Sequence, residues 1–388
     1  MAAQTPGTGS VRPKSSAVPF AVVPMTGRGM GAVALGDHKT GERIFQEKPL
    51  FVVSERANVD PPSPSRGGAP RTWRARPQPG PSDIIEGIVT NLPTDVRTKF
   101  FALAQSEELY GKTKTAAGVA GTNGIPFVDD GVVHGGLFYV CSRINHSCDA
   151  NCRFKWNSVF KELTVHATRR IAVGEEITFN YLSVLRPRAQ RLAQLRTDFG
   201  FECKCAKCSL TGEALDASEA RIGFIGEYFA LDEELLQATS LRELVKADPA
   251  TMLGKFDERF LMMRVECGGE DAPLSNYHAV DAYLGRVLDF CDTAAARLAG
   301  VVALSKHRPE AKNAIFTDPI DNNKKITVSF EEARDKALQY LEAATKWAAI
   351  ATETARVLAG EDHPDYKRLS AWVPSVANTV EPAMTPRK

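Results

Sequence analysis

The chain has 388 residues, 43% of them hydrophobic, a length and composition that predict one large or two ordinary soluble globular domains. No apolar run approaches the roughly 18 residues that span a bilayer, and the opening residues MAAQTPGTGSVRPKSS do not resemble a secretory signal. The net charge of +1 predicts no polyanionic partner. Eight cysteines without such a signal fit a reducing compartment, where clustered thiols bind metal more often than they form disulfides.

A polar leader and then short strands are predicted for the first part of the chain. Residues 1–17 are rich in Ser, Thr, Pro and Gly, a composition typical of a disordered leader. Between residues 18 and 56, glycines break up short apolar runs, which predicts strands joined by turns. The apolar runs are Phe20–Val23, Val33–Leu35 and Phe51–Val53.

A flexible loop and a helical insert are predicted next. Residues 57–82 are rich in Pro, Arg and Gly and predict a loop, with an arginine-bearing arm that contacts nucleic acid as the alternative. A helical insert is predicted over residues 83–135, with Ser82 as its cap and a break at Pro93, where a second helix can begin. Within the insert, the glycine-rich residues 111–136 are predicted to be loop-like.

The remainder is predicted to be a strand-rich core followed by helices. Residues 188–210 begin as a basic helical stretch and end in a cysteine cluster, and residues 211–388 predict a helical C-terminal domain, with degenerate helical repeats as an open alternative. Strand-like runs in the core, 136–187, are Gly136–Val140, Arg153–Trp156, Leu163–Ala167 and Glu176–Tyr181. The clearest helical stripe, ended by Gly360, consists of Leu338, Leu341, Thr345, Ala348, Thr352, Ala355 and Leu358.

Three closely spaced cysteines predict a zinc site. Cys203, Cys205 and Cys208 form a C-x-C-x-x-C cluster. A disulfide between the first two would be strained because one residue separates them, and a chance cluster of buried small residues is the other alternative. Three thiolates cannot complete a tetrahedral site closed by protein ligands, so a fourth ligand must come from elsewhere. The candidate is Cys148 in RINHSCDANC, in competition with Cys141, Cys152, Cys267 and Cys291.

Three further motifs carry candidate chemistry, each with a plainer alternative. A pair such as Asn145–His146 is more often structural than catalytic. A second interpretation makes Cys148 a nucleophile and His146 its base, but a thiolate bound to zinc is a poor nucleophile. GEEITFNY, residues 174–181, reads as a turn and strand that end in tyrosine, or as a plain edge strand. GRGMGAVA, residues 27–34, has glycines that let a backbone approach a ligand, without the context of a dinucleotide or phosphate loop.

Taken in order, these motifs resemble those of the SET-domain protein lysine methyltransferases. RINHSCDANC resembles the family's R-x-x-N-H-S-C-x-P-N motif, and GEEITFNY resembles its G-E-E-hydrophobic-T-x-x-Y motif. FGFECKCAKC, residues 199–208, looks like the post-SET zinc-binding segment, and residues 27–50 are similar to the first SET strands. The resemblance covers residues 18–209 and is strongest to the SET and MYND group and its fungal relatives.

The resemblance implies an α+β fold with small curved β-sheets, a knot-like core and a helical insert. A zinc-binding post-SET segment and an all-α C-terminal region would follow. The chain departs from the group because residues 50–140 contain no cysteine and therefore no MYND finger. Ala150 stands where the family usually has proline, and Phe199 stands where some members have a second tyrosine, which leaves the degree of methylation open.

The resemblance also implies roles for particular residues. S-adenosylmethionine would be bound by Arg28, Gly29, Asn145, His146, Tyr181 and Phe201, the last stacked on its adenine. Tyr181 would be the catalytic residue at the methyl-transfer channel, and Phe199 would line that channel. One structural zinc ion would be held by Cys148, Cys203, Cys205 and Cys208.

The function implied is S-adenosylmethionine-dependent methylation of a lysine side chain on a histone or another protein. The expected partners are that substrate and a protein bound to the helical region, with no membrane or nucleic acid, and the expected location is intracellular, nuclear and/or cytoplasmic. The alternative is a catalytically inactive SET module that acts as an interaction scaffold, and a weaker one is a zinc-dependent nucleic-acid binder that uses residues 66–76. The presence of Asn145, His146, Tyr181 and Phe201 favours activity.

Overall fold

The computed structural model describes residues 20–54, 81–237, 240–267, 278–307, 310–317 and 324–372. The strands are β1 (Phe20–Met25), β2 (Gly29–Ala34), β3 (Arg43–Glu47), β4 (Phe51–Ser54), β5 (Ile125–Asp129), β6 (Val132–Leu137), β7 (Asn145–His146), β8 (Cys152–Asn157), β9 (Glu162–Ala167), β10 (Glu176–Phe179), β11 (Asn313–Thr317) and β12 (Lys325–Ser329). The helices are α1 (Pro81–Thr90), α2 (Thr94–Phe101), α3 (Glu107–Tyr110), α4 (Ala116–Asn123), α5 (Arg188–Phe199), α6 (Gly212–Gln237), α7 (Leu241–Lys246), α8 (Pro249–Cys267), α9 (His278–Ser305) and α10 (Phe330–Ala359), before a last helical turn segment at 364–372. The predicted leader at 1–17 and the predicted loop up to residue 80 lie outside the described residues.

The described chain before α5 contains three small sheets. β1 pairs antiparallel with β2, and β10 and β7 extend that sheet. β3, β9 and β8 form a second sheet, and β4, β6 and β5 form a third. The buried faces share one core that includes Ala32, Ile44, Val165 and Ile177. The predicted α+β class is confirmed, although the strand β3 was not predicted.

The helices α1 to α4 form an insert that packs on β4 and β6. Their buried side chains, among them Ile85, Phe100 and Val119, contact Phe51 and Leu137 of the two strands. The helical structure is interrupted between α1 and α2, where Pro93 is the N-cap of α2, in agreement with the predicted interruption. The insert therefore depends on the third sheet for its apolar contacts.

The predicted loop at 111–136 is wrong, because α4, β5 and most of β6 occupy it and strand structure begins before residue 135. Ile125 of β5 pairs with Gly136 of β6. A Cβ atom at Gly136 would lie 2.5 Å from Cε2 of Phe138 and 2.9 Å from Cε1 of Phe127. The glycine thus makes room for two aromatic rings within a strand and does not mark a turn.

The motifs that contain β7 and β10 lie side by side. β7 runs parallel to β10, and Asn151, five residues after β7, makes three hydrogen bonds to β10. Its side-chain Oδ1 accepts from the Thr178 amide at 2.8 Å, its Nδ2 donates to the Glu176 carbonyl at 2.8 Å, and its backbone amide donates to the Thr178 carbonyl at 3.2 Å. Segments about 30 residues apart in sequence are thereby brought into one strand pair.

The second half is helical and shares one core with the cysteine cluster. Cys148, Leu195 and Cys208 belong to the same buried cluster as Ile225 and Met263 of the long helices. None of the helices in the described ranges has the length and apolar character needed to cross a membrane. The helical region is therefore continuous, through its core, with the segment that carries the cysteines.

Two details of the helical region differ from the prediction. It is not all-α, since β11 and β12 form an antiparallel hairpin between α9 and α10. The end of α10 at Gly360 is as predicted, but its buried face is displaced from the predicted stripe, and Leu338 is 42% exposed. The face that packs against α9 consists largely of small residues beside Tyr340 and Trp347, because alanines allow two long helices to approach closely.

A buried polar cluster joins the end of α10 to the second sheet. Arg43 donates through Nε to Nε2 of His166 at 3.3 Å and through Nη2 to Asp362. Nδ1 of His166 donates to the Gly41 carbonyl at 3.3 Å, so the imidazole is neutral with its proton on Nδ1. Burial and the charge of Arg43 lower the pKa of His166 to about 4. The interface therefore holds this histidine in its uncharged form.

We expect acid to weaken this interface. Because the folded-state pKa of His166 lies below the unfolded value of about 6.5, the unfolded chain binds the proton more readily, and stability falls as the pH drops from 6.5 towards 4. For this group alone the loss between pH 7 and pH 5 is about 2 kcal/mol. Chemical denaturation at the two pH values should show this difference, and His166→Gln should reduce it. An unchanged pH dependence in that variant would contradict the assignment.

Candidate active site and metal centre

The four predicted cysteine ligands meet in space. The Sγ atoms of Cys148, Cys203, Cys205 and Cys208 all lie within 4.8 Å of one another, and those of Cys148 and Cys208 are 3.5 Å apart. Zn–S bonds of about 2.3 Å in a tetrahedron place sulfur atoms about 3.8 Å apart. Four thiols at this spacing, three of them buried, fit one zinc ion. None of the other four cysteines belongs to this group, so the geometry favours Cys148 as the fourth ligand.

Arg191 of α5 supplies a positive charge next to the thiols. It is buried, and its Nη1 donates to the Arg186 carbonyl. Burial lowers the pKa of Arg191, but the charges of Cys148 and Cys208 outweigh burial and raise it. Four thiolates around one Zn²⁺ carry a net charge of about −2. A fixed guanidinium at this point offsets part of that charge in a buried environment.

His146 connects the thiol cluster to Tyr181. Its Nδ1 accepts from the backbone amide of Tyr181 at 3.0 Å, so the proton lies on Nε2, which donates to Sγ of Cys148 at 3.3 Å. Burial lowers the pKa of His146 to about 3 and keeps the ring neutral. The ring therefore serves as a fixed spacer between the cysteine cluster and the end of β10.

Tyr181 lies at the centre of a cluster of aromatic rings. Its hydroxyl donates to the Ile144 carbonyl at 2.7 Å, which fixes the phenol and leaves the oxygen lone pairs as acceptors. Burial raises the pKa of Tyr181, so it stays protonated at neutral pH. The ring centroids around it lie 5.1 to 6.3 Å away and belong to His146, Phe179, Phe199 and Phe201.

The turn between β1 and β2 presents Arg28 to this region. Gly27 and Gly29 on either side have φ values of +70° and +69°, which residues with a Cβ rarely adopt. Nη2 of Arg28 donates to the His146 carbonyl at 3.0 Å, and Nη1 lies 2.6 Å from Oε2 of Glu176. Asn145, beside it, donates through Nδ2 to Oε1 of Glu176 at 2.9 Å. A cation, an amide and an aromatic cluster thus converge on one surface.

This constellation agrees with the comparison to known families. A model of the SET domain matches residues 29–182, from the start of β2 to the residue after Tyr181.

Residues 29–182 are a SET domain.

Three relatives of the SET domain support this assignment. Histone-lysine N-methyltransferase set5 of Schizosaccharomyces pombe is 28% identical over 195 residues, which cover 49% of this chain and 50% of that protein. Histone-lysine N-methyltransferase SMYD3 of Homo sapiens is 41% identical over 81 residues, 21% of this chain and 18% of that protein. Histone-lysine N-methyltransferase ASHR1 of Arabidopsis thaliana is 36% identical over 89 residues, 22% of this chain and 18% of that protein. The chain thus spans at most half the length of each of these relatives, and its predicted resemblance to the SET and MYND group and fungal relatives is confirmed.

A second carboxylate holds the segment that leads into β7 of the SET domain. Glu47, at the end of β3, accepts from the backbone amides of Tyr139, Val140 and Cys141 at 2.8 to 3.1 Å. Burial raises the pKa of Glu47, while these three hydrogen bonds favour its charged form. One partly buried side chain therefore satisfies three consecutive donors just before Asn145.

The post-SET segment is tied to the helical region by a buried ion cluster. Nζ of Lys207, between the last two cysteines, lies 2.7 Å from Oε1 of Glu266 on α8. Arg221 Nε donates to the other oxygen at 2.8 Å, and Ser218 Oγ donates to Oε1 at 2.6 Å. The Glu266 side chain is 2% exposed. The position of the cysteine loop therefore depends on a residue about 60 positions away.

The structure brings together all the residues predicted for the site, and their roles stay predictions. Gly200, with φ +71°, ends α5 between Phe199 and Phe201 and begins the segment that carries the cysteines, 200–208, called the flap below. A Cβ there would lie 2.7 Å from Oγ of Ser106 in the insert, so glycine is required sterically as well. Sequence reasoning missed the charged residues Glu47, Glu176, Arg191, Lys207 and Glu266. Glu176 and Lys207 stand within recognised motifs and Glu47 within the stretch 27–50, whereas Arg191 and Glu266 lie outside all of them.

We expect Cys205→Ser to abolish stoichiometric zinc binding, because three thiolates cannot close the tetrahedral site. Atomic emission spectroscopy on the purified protein should find about one zinc per chain in the parent protein. Cys291→Ala, in the helical core and outside the cluster, is the matched control and should keep the metal. Equal zinc content in Cys205→Ser and the parent protein would remove Cys205 from the ligand set.

We expect Glu266→Gln to destabilise the protein by about 3 kcal/mol, since it removes the buried negative charge that faces Lys207, 9% exposed, and the partly exposed Arg221. Chelator competition should also show faster zinc release, because the cysteine loop loses its tie to α8. Asp257→Asn on the same helix is the control. It breaks an exposed pair with Lys346, and the expected cost is below about 1 kcal/mol. Similar losses in the two variants would contradict the special role of the buried cluster.

Proposed function

We propose that this protein transfers a methyl group from S-adenosylmethionine to a lysine side chain of a protein substrate. The observation that carries the proposal is the convergence of Arg28, Asn145 and His146 on the aromatic cluster around Tyr181. The three relatives named above are histone-lysine methyltransferases by name, which supports the same chemistry on a histone or another protein.

The donor groups on this surface fit the cofactor. S-adenosylmethionine supplies an activated methyl group on a sulfonium centre. Arg28, whose side chain is 44% exposed, is a cation suited to the carboxylate of its amino-acid part, and Asn145 and His146 offer amide and backbone groups. Phe201 offers a ring for the adenine, 5.9 Å from the ring of His146. Gly29 lets the backbone approach closely.

Tyr181 and the rings around it would prepare the lysine for reaction. A lysine amine is protonated at neutral pH, and a desolvated aromatic channel lowers its pKa and favours the neutral, nucleophilic form. The phenol oxygen of Tyr181, held by its bond to the Ile144 carbonyl, can orient the amine and the methyl group. The chain thereby provides alignment and exclusion of water, and no strong base is needed.

The role proposed for the thiol cluster is structural and not catalytic. It joins the segment after His146 to the flap, which follows Phe199 and carries Phe201, so a bound zinc would hold both halves of the pocket together. The wider setting is part of the same proposal: a lysine-bearing protein as substrate, a protein partner on the helical region, and an intracellular location in the nucleus and/or cytoplasm. The inactive-scaffold alternative has no structural observation in its favour.

We expect Tyr181→Phe to keep its zinc and lose most methyl transfer, because only the phenol oxygen is removed from the channel. Transfer of labelled methyl groups from S-adenosylmethionine into lysate proteins, followed by peptide mapping, tests the activity. A loss of about 100-fold is the size expected for one positioned catalytic group. Equal rates in the variant would remove Tyr181 from the mechanism, and an inert parent protein that also fails to bind the cofactor would favour the scaffold.

A further inference from the structure

The carboxylate of Glu176 contacts two side chains that the proposed function places at the cofactor. Its Oε2 lies 2.6 Å from Nη1 of Arg28, and its Oε1 accepts from Nδ2 of Asn145 at 2.9 Å. The Glu176 side chain is 16% exposed and sits at the start of β10, where strand pairing with β2 fixes its backbone. One carboxylate therefore bridges residues that are 117 positions apart in sequence.

The hydrogen bonds of Asn145 determine which way its amide faces. Besides Glu176, its Nδ2 donates to the carbonyl of Met30 at 3.1 Å. A carboxylate and a carbonyl can only accept, so both contacts require the NH₂ end of the amide. Within the part of the chain that the structure describes, the Oδ1 atom of Asn145 remains available as an acceptor. An ammonium group, which has donors and no acceptor, is the chemical partner that such an oxygen suits.

We propose that Glu176 is a positioning residue for the amino-acid part of S-adenosylmethionine. This inference rests on the proposed function. One oxygen of Glu176 holds Arg28, whose remaining N–H groups suit the cofactor's carboxylate, and the other holds the NH₂ end of Asn145, so that Oδ1 faces the cofactor's ammonium group. Glu176 itself touches neither group. It acts by arranging the charge and the acceptor that do.

Gly31 provides independent support for this arrangement. A Cβ atom at Gly31 would lie 2.5 Å from Cγ of Met25, 2.9 Å from Nδ2 of Asn145 and 3.0 Å from Oε1 of Glu176. Its φ is not in the left-handed region, so glycine is needed here for space and not for backbone conformation. The absence of a side chain at Gly31 thus leaves room for the hydrogen bond between Asn145 and Glu176.

Two nucleosides separate this role from a general structural one. S-adenosylhomocysteine carries the amino-acid part, whereas 5′-methylthioadenosine carries the adenosine and sulfur without it. Titration calorimetry on the full chain should show that Glu176→Gln weakens S-adenosylhomocysteine binding about tenfold, the effect of one lost charge-assisted hydrogen bond. Binding of 5′-methylthioadenosine should be unchanged. Gly31→Ala should show the same selective loss.

The matched control is Glu353→Gln, which breaks an exposed Glu–Arg pair of the same length on α10 and should change neither affinity. If Glu176→Gln leaves the ratio of the two affinities as in the parent protein, whether both fall or neither falls, the positioning role is overturned and the proposed function stands. If the parent protein binds neither nucleoside, the proposed function fails and the inference fails with it.

Discussion

The rest of this structure depends on one cluster of four sulfur atoms. Cys148 lies two residues after β7, and the other three cysteines lie four to nine residues after the end of α5. Four thiols this close suit a metal ion, whose charge would offset the repulsion between their thiolate forms. Because His146 donates to Cys148 and accepts from Tyr181, the cluster also determines where the end of β10 lies relative to the flap.

The same cysteine cluster connects the helical half of the chain to the candidate site. Cys148, Cys203 and Cys208 are buried in one apolar core with residues of α6, α8 and α9. The Lys207–Glu266 pair then adds a buried charge contact between the cysteine loop and α8. A second, separate contact joins the two halves at Arg43, His166 and Asp362. The helical region thus helps to hold the cysteine segment in place, through the shared core and the Lys207–Glu266 pair.

Partly buried carboxylates order the loops of the SET domain at several points. Glu47 accepts from three backbone amides before β7, Glu175 accepts from Asn151 at 2.8 Å, and Glu176 bridges Arg28 and Asn145. Each of them satisfies several donors at once, which offsets the cost of partly desolvating its charge. The geometry of the proposed cofactor surface therefore rests on side chains that would not themselves contact the cofactor.

Sequence patterns alone were enough to predict a zinc site at Cys203, Cys205 and Cys208, because the spacing of these cysteines carries the chemistry. The choice of Cys148 as fourth ligand and of the residues that gather around Tyr181 came from the family resemblance of the ordered motifs. Local patterns were also enough for the interruption at Pro93 and the end of α10 at Gly360, which are local backbone effects. Sequence patterns misread residues 111–136 as a loop and Leu338 as a core residue, because the pairing of β5 with β6 and the approach of α9 to α10 are set by tertiary contacts. The partners of Glu176 and Glu266 were decided only by the tertiary structure, since a carboxylate far from its partners in sequence carries no local sign of the donors that it will meet.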